Sequence, residues 1–394
     1  MISARSRVPA IIVAASALAV TACGSIHASG VAGAGTVSDQ TPAKAEAAMV
    51  EAYAVPNANR KLDGAVDAQL VTNGAVSRRS SFGTGTDVWQ LHPTSPQAVN
   101  CDCLIAYQSD LGRSEIIQLP TLTRAGSQVL LPGSAQQHTA LDAGWVLVAQ
   151  SGSSVTQATF SASKPAMITP THTYQLPVIT PDPVAGVLPK GYKGIGLHIG
   201  PGLVAAMIQT DGGHLIALAS TGRGAAITDL SSGLSRRLAG YGELGAASLA
   251  PDGQIYAVAW RGFDQGFTIK ILRINPTTLV VTKTFDTGVV PGQLDNSVVL
   301  SAGSGNAIIG LFYGDEHDVT AKLWTIADSS LRTMATLPRN IALDASVIGG
   351  DVYLFGGPAT NQVSLLVIAT GALTRDVPSL RTPPGSWALS VAAA

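Results

Sequence analysis

The sequence is poor in charged and aromatic side chains. Asp, Glu, Lys and Arg together make up 12% of its 394 residues, and Phe, Trp and Tyr make up only 5%. Water-exposed helices carry Glu, Lys, Arg and Gln on their outer face, so this shortage disfavours a helical protein. Frequent Val and Thr, with many Gly and Ser, instead favour strands joined by turns. We therefore expect an all-β fold.

Clusters of positive charge are also missing. The formal net charge is −1, and basic residues occur in runs of no more than two, as at Arg78-Arg79 and Arg236-Arg237. Surfaces that bind nucleic acid neutralise several phosphates with clustered Lys and Arg, and polybasic segments attract anionic lipids. Nucleic acid is therefore not a predicted partner, and no basic membrane patch is expected.

Motifs for phosphate binding, metal binding and nucleophilic catalysis are absent as well. The chain has no phosphate-binding loop, no His-Glu-x-x-His segment and no Gly-x-Ser-x-Gly segment. The sequence therefore predicts no cofactor, no metal site and no catalytic residue. Propellers can assemble active sites from distant loops, so an enzyme is disfavoured without being excluded.

Cysteine occurs only three times, and the first cysteine directly follows an apolar segment near the N terminus. Met1–Arg7 carries two arginines, and Val8–Val20 is apolar or small apart from Pro9 and Ser16. A membrane-spanning helix needs about 20 apolar residues, so this run is too short to be one. Positive charge before a short apolar run is typical of an export signal.

The end of this signal, Val20-Thr21-Ala22-Cys23, resembles the lipobox of bacterial lipoproteins. The resemblance implies that residues 1–22 are a signal peptide cut off before Cys23, and that Cys23 carries a diacylglycerol. The protein would then be anchored to the cell membrane by lipid and face outside the cytoplasm. Val20 departs from the family, which more often has Leu there. The alternative is an ordinary secretory signal with an incidental cysteine.

Residues 23–48 are predicted to be a flexible tether. They are rich in Gly, Ala, Ser and Thr and contain no aromatic residue, so they bury too little apolar surface to order themselves. A Gly-rich coil of ~25 residues has a root-mean-square span of roughly 25–30 Å. The folded domain is expected to cover residues 49–394.

The remaining chain contains an internal repeat. The segment Ser248–Gly262 (SLAPDGQIYAVAWRG) has a Pro-Asp-Gly turn followed by a strand that is apolar on both sides. Similar units begin after other Gly-rich turns, and their first strand residues are His214, Gln254, Ala307 and Asp351, which lie 40, 53 and 44 residues apart. A period of 40–50 residues with about four strands is typical of a β-propeller blade.

These units predict a β-propeller of about seven (six to eight) four-stranded blades. The turn Pro251-Asp252-Gly253 and its strand resemble the PDG blades of WD-like propellers in exported bacterial proteins, although the Gly-His and Trp-Asp pairs of true WD repeats are missing. The final segment, Ser386–Ala394, is expected to complete a blade begun near the N terminus. The Pro-rich segment 164–190 is an inter-blade excursion or a seam, and the alternative fold is two β-sandwiches split there.

Two places in the repeats are candidates for chemistry. Cys101 and Cys103 are a candidate disulfide in an oxidising compartment, although one intervening residue makes it strained. Two free buried thiols, or a redox or metal role, are the alternatives.

The second candidate is a pair of equivalent loops in successive repeats. Arg261 and Asp264 lie in one loop, and Asp315 and His317 in the next. Loops on one face of a propeller converge, so these four residues are candidates for a ligand-binding face. Solvated surface charges are the alternative.

The function that best matches these patterns is a binding or scaffold module for an envelope protein, peptide or glycan. A rigid ring offers a broad face for such a partner and needs no catalytic motif. The alternative is an extracytoplasmic propeller enzyme (a hydrolase, lyase or oxidoreductase) with its site on one face. A sensory or assembly accessory for a neighbouring membrane complex is a third reading.

Overall fold

A computed structural model describes the protein over residues 49–54, 65–84, 89–93, 103–108, 113–118, 122–124, 129–130, 146–161, 167–182, 202–210, 212–261, 267–290, 293–302, 306–315, 318–327, 330–356, 362–374 and 377–393. The predicted signal peptide (1–22), Cys23 and the predicted tether lie outside the described residues. Within those residues, no helix has the length and hydrophobicity needed to cross a membrane.

The described strands form seven antiparallel sheets, numbered here in chain order. Sheet 1 contains β1 (Met49–Ala54), β2 (Ala65–Thr72), β3 (Ala75–Thr84) and the last strand of the chain, β28 (Trp387–Ala393). Sheet 2 contains β4 (Trp89–Pro93), β5 (Cys103–Gln108), β6 (Arg113–Gln118), β7 (Thr123–Arg124) and β8 (Val129–Leu130). Sheet 3 contains β9 (Val146–Ser151), β10 (Ser154–Ser161) and β11 (Met167–Gln175).

Sheets 4 to 7 each contain four strands that follow one another both along the chain and across the sheet. Sheet 4 contains β12 (Leu203–Gln209), β13 (Leu215–Ser220), β14 (Ala225–Asp229) and β15 (Ser235–Arg237). Sheet 5 contains β16 (Glu243–Leu249), β17 (Ile255–Arg261), β18 (Phe267–Ile274) and β19 (Val281–Val290). Sheet 6 contains β20 (Gln293–Ala302), β21 (Asn306–Asp315), β22 (Asp318–Ala327) and β23 (Ser330–Thr336). Sheet 7 contains β24 (Ala342–Ile348), β25 (Asp351–Gly356), β26 (Ser364–Val367) and β27 (Ala372–Thr374), and a short 3-10 helix (Pro378–Leu380) follows it.

The sheets are arranged as the blades of a β-propeller. We call the strand of a sheet that contacts the corresponding strands of its neighbours the inner strand; the inner strands of six sheets are β28, β4, β12, β16, β20 and β24. From sheet 4 through sheet 7 and on to sheets 1 and 2, each inner strand contacts the inner strand of the next sheet. The predicted all-β propeller is therefore confirmed, and the alternative of two sandwiches is wrong.

The predicted repeat corresponds to the second strand of four successive sheets. The second strands of sheets 4 to 7 begin at Leu215, Ile255, Asn306 and Asp351, each at or next to a predicted first strand residue. The predicted closing strand is also present, because β28 pairs with β1, with Met49 opposite Ala393 and Ala54 opposite Trp387. The C-terminal strand therefore becomes the inner strand of the sheet that the N-terminal strands begin.

The Pro-rich segment is only partly an excursion. Its residues Met167–Gln175 form β11, which pairs with β10 along its whole length. Residues 176–182 then run between sheets 3 and 4, where Leu176 and Ile179 are buried in an apolar cluster with Val155 and Val204. A Cβ on Gly224 would lie 2.8 Å from the carbonyl oxygen of Thr180, so this close approach requires glycine. The segment therefore packs between sheets 3 and 4.

The alternating strand directions give the ring two different ends. All inner strands begin at one end, which we call the mouth end; it also holds the connections that follow second and fourth strands. The opposite, turn end holds the connections that follow first and third strands. At the mouth end, Asp182 N donates to Arg223 O, and at the start of the segment 176–182 Leu176 N donates to Ser153 O.

The hydrophobic core consists of layers between neighbouring sheets. Separate buried clusters lie between sheets 4 and 5, sheets 5 and 6, sheets 6 and 7, and sheets 7 and 1. Strands in such a stack are apolar on both faces, and every residue of β13 (LIALAS) is buried. At roughly 25 cal/mol per Å² of buried apolar surface, these layers supply the main driving force for folding.

Polar side chains connect neighbouring sheets across these apolar layers. Four inner strands (β12, β16, β20 and β24) have a register shift near their first residues, consistent with a β-bulge, and a bulge leaves main-chain groups without a partner in the ladder. Side chains of neighbouring sheets supply the missing partners. We call Gln150, Ser220, Ser297, Asn296 and Ser346 the junction side chains.

Their hydrogen bonds join consecutive sheets from sheet 3 round to sheet 1. Gln150 accepts from Val204 N at 2.8 Å and donates to Gly202 O at 2.8 Å. The other four bonds run from Leu244 N to Ser220 Oγ (3.2 Å), from Ala246 N to Ser297 Oγ (3.0 Å), from Asn296 Nδ2 to Leu343 O (2.8 Å) and from Ser346 Oγ to Val391 O (2.7 Å).

Replacing one junction side chain should destabilise the whole domain. In Ser297→Ala the N–H of Ala246 stays buried without its partner, which costs about 1–3 kcal/mol. We expect the free energy of unfolding in urea to fall by that amount. The control is Ser330→Ala on the exposed outer strand β23, which should change it by less than about 0.5 kcal/mol. Equal effects of the two substitutions would contradict the role given to Ser297.

Candidate ligand-binding face

The predicted face residues follow the second strands of two successive sheets. Arg261 is the last residue of β17 and Asp315 is the last residue of β21. Second strands end at the mouth end, so the main chain at both positions lies at the same end of the ring. Asp264 and His317 lie outside the described residues, as do the side chains of Arg261 and Asp315. Their grouping into one pocket therefore stays a prediction.

Only one member of the predicted cysteine pair lies within the described residues. Cys103 is the first residue of β5, whereas Cys101 lies outside the described residues. The candidate disulfide stays a prediction, as does the lipid on Cys23.

The mouth end contains carboxyl groups that sequence reasoning did not select. Glu243 is the first residue of the inner strand β16 and is partly buried. The Ser220 hydroxyl donates to Glu243 Oε2 at 3.1 Å and accepts from Leu244 N, so one junction side chain holds both the strand and the acid. Burial raises the pKa of Glu243, and the hydrogen bond from Ser220 opposes that shift.

Asn296 and Asp344 make similar main-chain contacts on the next two inner strands. Each directly follows the extra residue of the register shift. Asn296 Oδ1 accepts from Ser297 N at 2.8 Å, and Asp344 Oδ1 accepts from Ala345 N at 2.7 Å. Burial raises the pKa of Asp344 to about 7, and the single main-chain hydrogen bond opposes that shift. The Asp344 carboxyl therefore changes charge near neutral pH.

The turn end has a different chemistry, because its acids are used within turns. Asp229 accepts hydrogen bonds from Ser231 N (2.9 Å), Ser232 Oγ (2.5 Å) and His214 Nδ1 (2.8 Å). Burial acts to raise the pKa of Asp229, but the hydrogen bonds of Ser232 and His214 together lower it.

This group is not a nucleophilic triad, because the histidine would have to lie between the serine and the acid. Here the serine and the histidine both bind Asp229, which caps the turn after β14. No group of three His, Cys, Asp or Glu side chains suited to a metal ion occurs in the part of the chain that the structure describes.

The connections at the two ends also differ in length. At the turn end, the connections within sheets 4, 5 and 7 are tight turns. Their residues are 210–214, 230–234, 250–254, 275–280, 349–350 and 368–371. Segment 94–102, after β4, is the longer connection at that end. Between strand ends that lie at the mouth end, the sequence has ten residues from β1 to β2, seven from β25 to β26 and twelve from β27 to β28. Long connections held by a rigid scaffold are where propellers and other folds place their binding residues.

A sequence signal for the inner-strand acids does exist. Leu294–Val298 (LDNSV) and Leu343–Val347 (LDASV) differ at one position and lie 49 residues apart. Both segments lie at the start of successive inner strands. Asp295 and Asp344 thus recur at the same place in two apolar segments, and this recurrence marks the inner strand of each repeat.

Comparisons with known proteins add similarity of shape only. No protein-family profile matches the sequence, and no curated protein sequence matches it. The chain resembles the solved structure of virginiamycin B lyase from Staphylococcus aureus, at 10% identity and a TM-score of 0.46, over 78% of this chain and 95% of that one. It also resembles the Dos1 propeller, at 11% identity and a TM-score of 0.48, over 86% of this chain and 84% of that one.

A third similar structure is Sqt1 from Chaetomium thermophilum bound to the N-terminus of the ribosomal protein L10. The identity is 14% and the TM-score is 0.45, over 86% of this chain and 83% of that one. Likeness at this level assigns no activity, ligand or partner to this chain, because one fold serves many functions.

The raised pKa of Asp344 predicts a specific pH dependence of stability. The folded protein holds this proton more tightly than the unfolded chain does, so the free energy of unfolding should fall as pH rises from about 4 to about 7. The substitution Asp344→Asn should remove that decline in the free energy of unfolding, which is on the order of 1–4 kcal/mol. An asparagine can keep the hydrogen bond from Ala345 N, because Asn296 accepts the same kind of bond from Ser297 N. Thermal unfolding from pH 4 to pH 8 measures both proteins.

The control for this prediction is Asp286→Asn. Asp286 is exposed, and its hydrogen bond with Lys270 lowers its pKa. Its contribution is therefore present at neutral pH and lost as pH falls, which is the opposite sign. An Asp344→Asn protein that keeps the wild-type decline would contradict the assignment.

Proposed function

We propose that the protein is a lipid-anchored binding module outside the cytoplasm that holds an envelope protein, peptide or glycan at the mouth end of its ring. The proposal rests on one observation above all. The inner strands bring the partly buried side chains of Glu243, Asn296 and Asp344 to the end of the ring that also carries the long connections. The turn end has mostly tight turns whose acids are already hydrogen-bonded.

The chemistry of this end suits recognition of a polar ligand. Carboxyl and amide groups accept or donate hydrogen bonds to peptide groups and sugar hydroxyls alike. Ligand sites place a few such groups on a rigid frame, and the junction hydrogen bonds fix the strands that carry these three. Anchoring through Cys23 rests on the lipobox-like segment and is part of the same proposal.

A second candidate function is an enzyme with its site at the same end. The observation that favours it is the raised pKa of both Glu243 and Asp344, because a protonated carboxyl near neutral pH can act as a general acid. The two functions differ in what happens to a captured ligand. A binding module releases it unchanged, whereas an enzyme releases a product, and Glu243→Gln should then stop the conversion.

The anchor predicts where the protein is found after cell fractionation. Wild-type protein should lack residues 1–22, carry lipid on Cys23 by mass spectrometry and sediment with membranes. Cys23→Ser should move most of the protein to the soluble fraction, because no second anchor is proposed. Cys103→Ser is the control and should stay with the membranes. A Cys23→Ser protein that still sediments would overturn the anchor.

The binding face predicts which positions cross-link to a partner. A photo-reactive amino acid at Ala239, exposed between β15 and β16 at the mouth end, should give an adduct in intact envelopes. The same residue at Thr277, exposed between β18 and β19 at the turn end, should give little. Digestion with protease or with glycosidase then identifies the adduct as protein or glycan. Stronger cross-linking from Thr277 than from Ala239 would contradict the proposal that the partner binds at the mouth end.

A further inference from the structure

We infer that the ligand of the mouth end is a glycan, held by tryptophan rings that lie beside the mouth-end carboxyl groups. The inference rests on the proposed binding function and narrows the class of its ligand. It follows from the positions of the described tryptophans and from the carboxyl oxygens that the fold leaves without a donor.

Tryptophan is concentrated at the mouth end. Trp387 and Trp89 are the first residues of the inner strands β28 and β4, and these two strands contact each other. Trp260 is the last residue but one of β17, a second strand that ends at the mouth end. Trp324, by contrast, is buried in the layer between sheets 5 and 6. Most described tryptophan positions therefore lie at the end where the proposed ligand binds.

Trp387 is placed where a ligand can contact it. It is only partly buried, whereas the next residue, Ala388, is buried in the cluster between sheets 7 and 1. Successive side chains of a strand point to opposite faces, so the indole lies on the face of sheet 1 that is next to sheet 2. Its N–H has no hydrogen-bond partner among the described residues, although a buried indole N–H usually has one. The indole is therefore not held by a hydrogen bond of the fold.

Carboxyl groups lie next to these tryptophans in the ring. Trp260 is opposite Glu243 in the pairing of β17 with β16. Asp344 is the third residue of β24, and the inner strand next to β24 is β28, which begins at Trp387. A sugar ring has C–H groups on its faces, which stack on the electron-rich face of an indole. Its hydroxyl groups form hydrogen bonds with carboxyl and amide groups, so this end offers both kinds of contact.

The carboxyl groups favour a glycan over a protein. The fold engages one oxygen of each, through the Ser220 hydroxyl at Glu243 and through Ala345 N at Asp344. The second oxygen of each has no hydrogen-bond donor within the described part of the chain. The centre of a protein interface is depleted in polar partners and charge, and it would leave these oxygens unpaired at a cost in affinity. The hydroxyl groups of a glycan supply the donors.

Calorimetric titration with two envelope fractions tests the ligand class. The full-length acylated chain, in detergent micelles, is titrated with envelope polysaccharide freed of protein by protease and, separately, with envelope protein freed of glycan by glycosidase. The polysaccharide should bind and the protein fraction should not. Polysaccharide binding should also reduce the quenching of tryptophan fluorescence by acrylamide, because the ligand covers the partly exposed Trp387.

A matched pair of variants tests the role of the indole. Trp387→Phe should weaken binding of the polysaccharide by about five-fold or more, because tryptophan is a frequent source of large contact energies. The control, Trp324→Phe, removes the same ring from the core and should leave the affinity unchanged. The quenching measurement on the wild-type protein needs neither variant, so unchanged quenching overturns the inference even if a variant fails to fold.

The possible results separate the ligand class from the binding function. Binding of neither fraction, together with no cross-linked adduct from position 239, overturns the proposed function and the glycan with it. Binding of the protein fraction alone overturns the glycan and leaves the binding function in place. Polysaccharide that binds the wild-type protein and Trp387→Phe with equal affinity overturns the role of the tryptophan rings.

Discussion

The side-chain hydrogen bonds that connect each sheet to the next are the constraint on which the ring depends. The apolar layers between sheets supply most of the driving force, but contacts between such flat surfaces are not directional and leave neighbouring sheets free to slide. The bulged strands expose main-chain groups at fixed points, and Gln150, Ser220, Ser297, Asn296 and Ser346 bind those groups. These directional hydrogen bonds thus fix how neighbouring sheets align, which apolar packing alone would not do.

The same bulges produce the chemistry of the mouth end. A bulge turns the strand locally and lets polar side chains occupy places that a regular strand would fill with apolar ones. Ser220 shows the connection most directly, because its hydroxyl binds both the main chain of β16 and the carboxyl of Glu243. Gly245, in the shifted stretch of the same strand, leaves room for Ser297 and Trp260 where a side chain would collide with both. The register of the strand and the position of the mouth-end carboxyl are therefore fixed by the same side chain.

Much of the fold could be predicted from the sequence, because its signals are local. The turn at Pro251-Asp252-Gly253, the spacing of the repeats and the lone strand at the C terminus depend on short segments. The inner-strand acids depend instead on which strand of each sheet lies nearest the axis, and that is decided by pairing between distant parts of the chain. Arg261 and Asp315 are the last residues of two equivalent strands, β17 and β21, whereas sequence reasoning did not select Glu243 and Asp344. Part of the Pro-rich segment is a strand because Met167–Gln175 alternates side chains that β10 can pair with, and its proline lies at a register shift.

The pairing of β28 with β1 makes the two ends of the chain interdependent. β1 and its partner β28 are far apart in the sequence, so sheet 1 has no inner strand until Trp387–Ala393 has been synthesised. Until then, one edge of β1 is open and the main-chain partner of Ser346 is missing. A chain cut short before this strand would keep six sheets and lose the joint between sheets 7 and 1. Loss of this one strand therefore opens an edge of β1 and removes a link between neighbouring sheets at the same time.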